Sequence, residues 1–335
     1  MKIWYVSLLT LAVAASAAVA QSPMPSQQSR AVSPDHAAIP AVAAQAAEAP
    51  AILDCLECES GGRGFITGNQ NFPNFIGYVS NPLFAIDPRA VSILYPIFGS
   101  NWIETNPRLP NGNFQLYGAG LNLALTERLA VGLNQGGYAH ADFERNTLIG
   151  ERGRDREGWL NLGGFVQYTV FQDVPSQCLA TLGMRWTAPS GSSDIFQGRG
   201  PARLATYATL GKEFGEFHVL TTAGYDFPAG SSGVDINFFY GTVHLDRRCF
   251  GWLYPLVEFN WAAHTETVDI NAFREGGFID FGNFTASGNT LILAAGVNAV
   301  LIPNRLEFGA VYTTPIATQH DFDFNGLLVK IVYRF

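Results

Sequence analysis

The sequence has little charge and no long apolar run beyond its N-terminal region. Charged residues make up 14% of the chain, against roughly 25% in soluble globular proteins. The longest later apolar stretch, residues 291–303, is interrupted by Asn298 and ends at Pro303. A membrane-spanning helix needs about 20 apolar residues, so no later segment qualifies as one. A soluble periplasmic protein and a β-barrel remain, and the scarcity of charge favours the barrel, whose exterior faces lipid.

Positive charge is also scarce. The net charge of -8 and the isoelectric point near 5.2 argue against nucleic acid as a partner.

The N-terminal region has the pattern of a secretion signal. Lys2 precedes an apolar run that ends in Ala18-Val19-Ala20, which predicts a signal peptide over residues 1–20 rather than a helical anchor. Residues 21–54 are rich in Ala, Pro, Ser and Gln and predict a disordered periplasmic linker. Residues 55–90 predict a periplasmic, plug-like segment with many aromatic residues, and residues 91–335 predict the barrel.

The barrel region divides into twelve candidate strands of nearly equal length. Their lengths are near the 9–11 residues with which a tilted strand crosses a bilayer. The predicted strands are 91–102, 113–125, 129–138, 159–171, 177–187, 203–214, 217–227, 235–245, 252–262, 290–301, 305–314 and 326–335.

Short and long connections alternate along these strands. Outer-membrane barrels have short periplasmic turns and longer outer loops, so the alternation predicts an antiparallel up-and-down transmembrane barrel with both termini in the periplasm. The side chains alternate as well, since Leu327, Val329 and Ile331 share one face of the last strand. Four predicted strands carry an aromatic residue where the aromatic girdle of such a barrel is expected: Trp186, Tyr225, Trp261 and Tyr312.

The C-terminal residues resemble the last strand of Gram-negative outer-membrane barrels. That family closes on a phenylalanine preceded by apolar or aromatic residues at alternate positions, here Phe335, Tyr333 and Ile331. The resemblance implies that the barrel-assembly machinery reads these three residues as an insertion signal. More loosely, the layout of residues 91–335 is similar to the transporter-like barrels linked to aromatic-compound degradation, the phenol meta-pathway family. This similarity implies uptake of small solutes, apolar or aromatic ones included.

The predicted inward face carries charges and amides that suit a selective pore. The sequence does not decide between a conducting channel and a filled barrel. Barrels of eight strands fill their interior with side chains and barrels of sixteen strands leave a water channel, and twelve strands lie between these two. Our hypothesis is a narrow channel gated by the aromatic-rich segment 65–84. The candidate pore-lining residues are Asn122, Asn134, Asn161, Gln167, Arg185, Glu258, Glu307, Lys330 and Arg334.

The four cysteines are all predicted to lie on the periplasmic side. This compartment is oxidising, so disulfides that fix the N-terminal segment to the barrel rim are one hypothesis, and a local bond within the C-x-x-C pair is the alternative. No histidine lies near that pair in the sequence, which argues against zinc. The disulfide candidates are Cys55, Cys58, Cys178 and Cys249.

The outer loops allow two further functions. Three histidines with nearby acids would suit an outer-membrane lipase or protease, and acidic loops would suit adhesion or divalent cations beside lipopolysaccharide. No known lipase motif accompanies these histidines, so we predict no catalytic residue, metal or cofactor. The expected partners are the lipid bilayer, lipopolysaccharide, the assembly machinery and small solutes. The residues concerned are His140, His264, His320, Asp142, Asp269 and Asp321.

Overall fold

The computed structural model describes residues 66–103, 111–144, 155–195, 197–198, 200–230, 237–265, 289–318 and 324–335. These residues form fourteen β-segments and one short 3-10 helix, Ser193–Ile195. The segments are β1 Ile93–Ile103, β2 Gly112–Ala124, β3 Leu129–Gln135, β4 Gly137–Phe143, β5 Arg156–Trp159, β6 Leu162–Asp173, β7 Cys178–Ala188, β8 Arg203–Phe214, β9 Phe217–Pro228, β10 Phe238–Arg247, β11 Leu253–His264, β12 Asn289–Ile302, β13 Leu306–Thr318 and β14 Phe324–Arg334.

The strands form one closed antiparallel ring. β1 pairs with β2 on one side and with β14 on the other, which closes the sheet. β3 and β4 both pair with β2 on one side, and on the other side β3 pairs with β6 and β4 pairs with β5. β3 and β4 therefore form one wall strand with a short interruption, and β5 and β6 form the next. The wall therefore has twelve strands. The prediction of a closed antiparallel barrel of about twelve strands is confirmed.

The two interruptions lie side by side in the wall. Gly136 separates β3 from β4, and residues 160–161 separate β5 from β6. The register between β3 and β6 shifts at Leu133 and Gln135, so the consecutive residues Asn134 and Gln135 are both buried. A hydrogen bond of 2.9 Å from the Leu160 N–H to the Gly137 carbonyl continues the wall across the gap.

The connection lengths separate the two ends of the barrel. At one end, called here the short-turn end, the strands are joined by two to five residues. At the other, the long-connection end, five of six links are longer and the longest spans residues 265–288. The observed wall reaches further at this end than predicted, because β4 continues to Phe143 and β5 starts at Arg156.

The outside of the wall is apolar. Side chains alternate between exposed and buried along the strands, and the exposed set is dominated by aliphatic and aromatic residues. Among the described residues, no helix is long and apolar enough to cross a membrane. Exposed apolar residues include Leu94, Tyr117, Leu133, Tyr168, Leu182, Met184, Phe239, Leu245, Val297, Tyr312 and Ile331.

The inside of the barrel is occupied by the chain that precedes β1. Residues 69–90, called here the luminal loop, are closed at their base by a 2.7 Å hydrogen bond from the Asn69 N–H to the Ala90 carbonyl. Gly68 and Val91 form an isolated bridge beside it. The loop passes among the inward-facing side chains of the wall, and its aromatic residues Phe72, Phe75 and Phe84 are fully buried. The core of the protein is therefore the lumen itself.

Candidate functional site in the barrel lumen

The luminal loop is held chiefly by side chains of the wall. Apart from its base, it pairs with no strand, so its buried carbonyls need partners from elsewhere. Gln167 donates to the carbonyls of Asp87 (2.9 Å) and Arg89 (3.2 Å), Thr181 donates to Pro88 (2.6 Å), and Asn134 donates to Leu83 (2.7 Å). Inward amides and hydroxyls thus take the place of a strand partner.

Glu258 of β11 binds the backbone at the middle of the loop. Its carboxylate accepts hydrogen bonds from the N–H groups of Val79 (2.8 Å) and Ser80 (2.6 Å), and also from the Ser80 hydroxyl. Asn260, next inward on β11, donates to the Ser80 hydroxyl oxygen at 2.7 Å. A buried carboxylate with several donors is a strong contact, because charge-assisted hydrogen bonds are stronger than neutral ones.

Two histidines extend this contact along the wall. His244 lies between two carboxylates, with Nδ1 at 2.7 Å from Glu258 and Nε2 at 2.9 Å from Asp246. The other oxygen of Asp246 lies 2.6 Å from Nδ1 of His218. All four side chains are almost fully buried. An imidazole with a carboxylate at each nitrogen can donate to both when it is protonated.

The loop also carries its own buried ion pair. The guanidinium of Arg89 donates to Asp87, with Nη2 at 2.6 Å from Oδ2, and to the carbonyl of Phe72 at 3.1 Å. Burial by itself would raise the pKa of Asp87, but the charge and hydrogen bonds of Arg89 outweigh it, so this pKa lies below its ordinary value. The loop therefore introduces one cation and one anion that neutralise each other.

The tip of the loop meets a layer of arginines and aromatic rings. The Arg185 guanidinium lies 4.5 Å from the centre of the Phe84 ring and 2.7 Å from the Gln135 amide oxygen. Asp226 is shared between Arg203 (2.5 Å) and Arg185 (3.4 Å). The ring centres of Phe238 and Tyr240 lie 5.6 and 4.6 Å from the ring centre of Phe84.

The loop is also fixed near the short-turn end. Arg248 donates to the side-chain oxygen of Asn74 at 2.5 Å and to both oxygens of Glu216 at 3.1 Å. Asn74 in turn donates to Glu213 at 3.1 Å. Hydrogen bonds from Arg248 hold the pKa of the exposed Glu216 carboxyl below its ordinary value.

Most of the predicted pore-lining residues are brought together around the loop. Eight of the nine are at most 7% exposed, and Arg334 has a side-chain exposure of 12%. Asn161 is the exception, because it binds the connection after β7 rather than the luminal loop. Its amide oxygen accepts hydrogen bonds from the N–H groups of Gly191 and Gly198. Whether these residues line a path for solutes stays a prediction.

Other predicted residues are placed as follows. Ile331, Tyr333 and Phe335 are exposed on the outside of the wall. Cys178 and Cys249 are free thiols at the short-turn end, whereas Cys55 and Cys58 lie outside the described residues.

The histidines at the long-connection end do not form one cluster. His140 lies 2.6 Å from Asp155 rather than beside Asp142, and both members of the pair are partly or fully exposed. His264 packs on the Phe238 ring. His320, Asp269 and Asp321 lie outside the described residues, as do most of the acidic loops. In the part of the chain that the structure describes, no group of three or more His, Cys, Asp or Glu side chains could hold a metal ion.

Comparison with known proteins supports the fold alone. No protein-family model and no curated protein matches the sequence. An outer membrane channel from Pseudomonas putida F1 is similar in structure, with a TM-score of 0.54, 12% identity and coverage of 77% of this chain and 100% of that chain. Two further structures are more distant. The NanC porin has a TM-score of 0.47 and 9% identity, with coverage of 72% of this chain and 100% of that chain. The transport unit of the autotransporter AIDA-I from Escherichia coli has a TM-score of 0.44 and 13% identity, with coverage of 76% of this chain and 95% of that chain. The chain thus shares a closed antiparallel β-barrel fold with the Pseudomonas putida F1 channel.

Proposed function

We propose that this protein is an outer-membrane channel for the passive passage of small solutes, and that the luminal loop is its gate. The observation that carries the proposal is how the loop is bound. Polar side chains of the inner wall hold a segment that has strand pairing only at its base. Displacing the loop would expose a passage already lined with amides, hydroxyls and charges, which are the groups that select solutes in pores.

The apolar exterior supports a position in the outer membrane. A barrel pairs every wall strand with two neighbours, so no backbone edge is left to face lipid. The short-turn end would face the periplasm and the long-connection end the outside, as in known outer-membrane barrels. Trp186, which is exposed near the long-connection end of β7, would lie at the lipid headgroups.

Aromatic rings near the tip of the loop support small aromatic or apolar solutes. Phe84, Phe238 and Tyr240 form a cluster that lies beside Arg185. A solute that entered as the tip withdrew would meet ring faces and a guanidinium, a combination that binds planar molecules through stacking and cation–π contacts.

A reversible cross-link tests the gate. Ser80 of the loop and Asn260 of the wall have side chains in contact at 2.7 Å. In a background with the four native cysteines replaced by serine, Ser80→Cys and Asn260→Cys would place two thiols together. We expect the oxidised protein to show no openings in planar bilayers and the reduced protein to conduct.

Single-cysteine variants at the same positions are the controls, and they should respond to neither oxidant nor reductant. Equal conductance of the oxidised and reduced double variant would refute the gate. Absence of conductance and of liposome swelling in every variant, with the cross-link open, would refute the channel.

A further inference from the structure

One peptide group of the luminal loop is bound by charged side chains from two parts of the wall. The Val79 N–H donates to Glu258 of β11 at 2.8 Å, and the Tyr78 carbonyl accepts from the ammonium of Lys330 of β14. Both groups belong to the peptide that joins Tyr78 to Val79, and among the described residues no peptide bond is cis. The N–H and C=O of a trans peptide point in opposite directions, so this peptide lies between the two charged side chains.

The charges on either side match the polarity of the peptide. Its N–H is the positive end of the peptide dipole and its carbonyl the negative end, so the carboxylate and the ammonium each meet the opposite sign. Glu258 also acts on the charge of Lys330 through space, and Glu307 and Asp87 add further negative charge around the ammonium. Glu258 and Lys330 thus form a compensated pair with one peptide group between them.

Glu258 binds the next peptide group of the loop as well. Its second oxygen accepts from the Ser80 N–H at 2.6 Å, so one carboxylate binds two consecutive main-chain donors. Every residue except proline supplies such an N–H, whatever its side chain. The contact is therefore chiefly a contact to the main chain.

Other inward side chains bind the loop in the same way. In addition to the carbonyl bonds described for the candidate site, Thr209 donates to the Ile86 carbonyl at 3.3 Å and Arg334 donates to the Phe75 carbonyl at 3.4 Å. These bonds do not involve the side chains of the loop, so a different peptide could form them equally well.

The wall also leaves room for a small side chain beside the bound peptide. Val79 is fully buried, and a β-carbon at Gly309 of β13 would lie 3.0 Å from its Cγ2. The glycine thus opens the space that the Val79 side chain fills. Ala294 and Val311 belong to the same apolar cluster. This position accepts a small aliphatic side chain.

We propose that the lumen binds short peptides by their main chain, and that residues 78–80 of the luminal loop occupy this site as an internal substitute. The inference rests on the proposed function, because a peptide can enter only where the loop withdraws. Withdrawal leaves Glu258 and Lys330 without the N–H and C=O groups that they bind, which is costly for buried charges. An entering peptide restores these bonds, and its terminal ammonium and carboxylate complement the same pair.

Two tripeptides of identical mass and charge test the site. Trialanine and trisarcosine are isomers, but each sarcosine carries its methyl group on nitrogen, so the internal amides of trisarcosine have no N–H. Uptake of each labelled peptide into liposomes that contain the purified protein would be measured at low concentration, with arabinose as a neutral reference solute. We expect trialanine to enter about ten-fold faster than trisarcosine, because a hydrogen bond to a charged group is worth about that factor.

Glu258→Gln should reduce this preference to about two-fold or less, because a neutral amide oxygen binds N–H groups more weakly than a carboxylate does. Glu157→Gln is the matched control, since Glu157 is exposed on β5, and it should leave the preference unchanged. The comparison of the two peptides in the wild type needs no variant, so the test stays valid if Glu258→Gln fails to fold.

The outcomes distinguish this proposal from the channel itself. Equal entry of the two peptides, with arabinose also entering, would overturn the peptide site and leave the channel intact. A trialanine preference that is unchanged in folded Glu258→Gln would overturn the site as well. Exclusion of all three solutes would refute the channel, and the peptide site with it.

Discussion

Asp87 and Arg89 show how single residues hold the loop inside a polar lumen. They lie two residues apart around Pro88, and Arg89 donates to Asp87 through its backbone N–H, its Nε and its Nη2. Both side chains are buried, at 8% and 1% exposure. Removing one partner of a buried pair is strongly destabilising, typically by about 3–5 kcal/mol, because it leaves a lone charge without water.

We expect Asp87→Asn to lower the stability of the barrel near neutral pH, with a smaller deficit in acid. The folded-state pKa of Asp87 is depressed, so its contribution is present above the unfolded-state pKa of about 3.9 and is lost as the pH falls through the lower folded-state value. Urea midpoints of wild type and variant in lipid vesicles at pH 7 and pH 3 measure this difference.

Asp142→Asn provides the control for that experiment, because Asp142 is exposed on β4. It should leave the midpoint unchanged at both pH values. An Asp87→Asn deficit that stays constant between pH 7 and pH 3 would show that the carboxylate charge is not what stabilises the loop.

Individual lumen residues were predictable only where strands alternate cleanly. Glu258, Lys330 and Arg185 are polar positions in otherwise apolar strands, and all three are buried in the lumen. His218, His244 and Asp246 were missed. The signal was present, since His244 and Asp246 flank Leu245 and so share a face of β10, but β10 also points Phe238 and Tyr240 inward, and this obscured the polar face.

At the scale of the strand, glycines make room for inward aromatic rings. The Tyr207 ring of β8 lies over Gly183 of β7, and the Tyr240 ring of β10 lies over Gly224 of β9. A β-carbon at Gly183 would lie 2.7 Å from Cε1 of Tyr207, closer than real contacts allow. The ring would have to move away from Phe84 and Phe165, with which it forms one cluster.

Gly183→Ala should therefore destabilise the barrel by about 1–3 kcal/mol, the usual range for overpacking a core. Gly99→Ala is the control, because a β-carbon there would meet Leu116 at an ordinary 3.5 Å. Denaturant midpoints compare the two. Adding Tyr207→Leu to Gly183→Ala should cost less than the sum of the single changes; strictly additive effects would mean that the ring and the glycine do not conflict.

The strands were predictable as units because their lengths and links follow from crossing a bilayer. Ten of the twelve observed wall strands begin and end within about three residues of the sequence-based bounds, which is the usual error at element ends. The third and fourth strands were drawn too short because the AHADF segment reads as a charged loop, although β4 pairs with β2 and β5 there. The eleventh strand continues past Pro315 because the register between β12 and β13 shifts beside it.

The luminal loop also explains why polar and apolar residues alternate poorly along the sequences of β8, β10 and β12. A lumen filled with water needs polar inward residues, but this lumen is partly filled with Phe84, Ile86 and other apolar side chains of the loop. Ala205, Tyr207 and Ile292 point inward to pack on the interior. Pattern alone could not separate these inward apolar residues from outward ones, because the course of the loop was unknown.

At the scale of the whole molecule, the C-terminal residue joins the seam that closes the ring. The Phe335 N–H donates to the Ser92 carbonyl at 3.2 Å, while its ring is 57% exposed and packs edge-on to Tyr333. A single hydrogen bond at the end of a long ladder contributes little to stability. Recognition of this ring by the assembly machinery stays a prediction.

We expect deletion of Phe335 to lower the amount of folded barrel in the outer membrane several-fold in cells, while folding into detergent is nearly unchanged. Heat-modifiable mobility on gels measures both. Phe250→Ala is the control, since Phe250 is an 87% exposed aromatic residue at the same end. Equal loss in cells and in detergent would assign Phe335 a structural role instead of a recognition role.

The base of the luminal loop also sets how the protein would respond to mechanical tension. A pull on the chain ahead of Ile66 loads first the hydrogen bonds from the Ser92 hydroxyl to Ile66 and from Asn69 to Ala90. The seam between β1 and β14, which is paired from Ile93 to Ile103, comes later in the chain and would bear the force only after these two hydrogen bonds had broken. Force applied from that side would therefore unthread the loop while the wall stays shut around it.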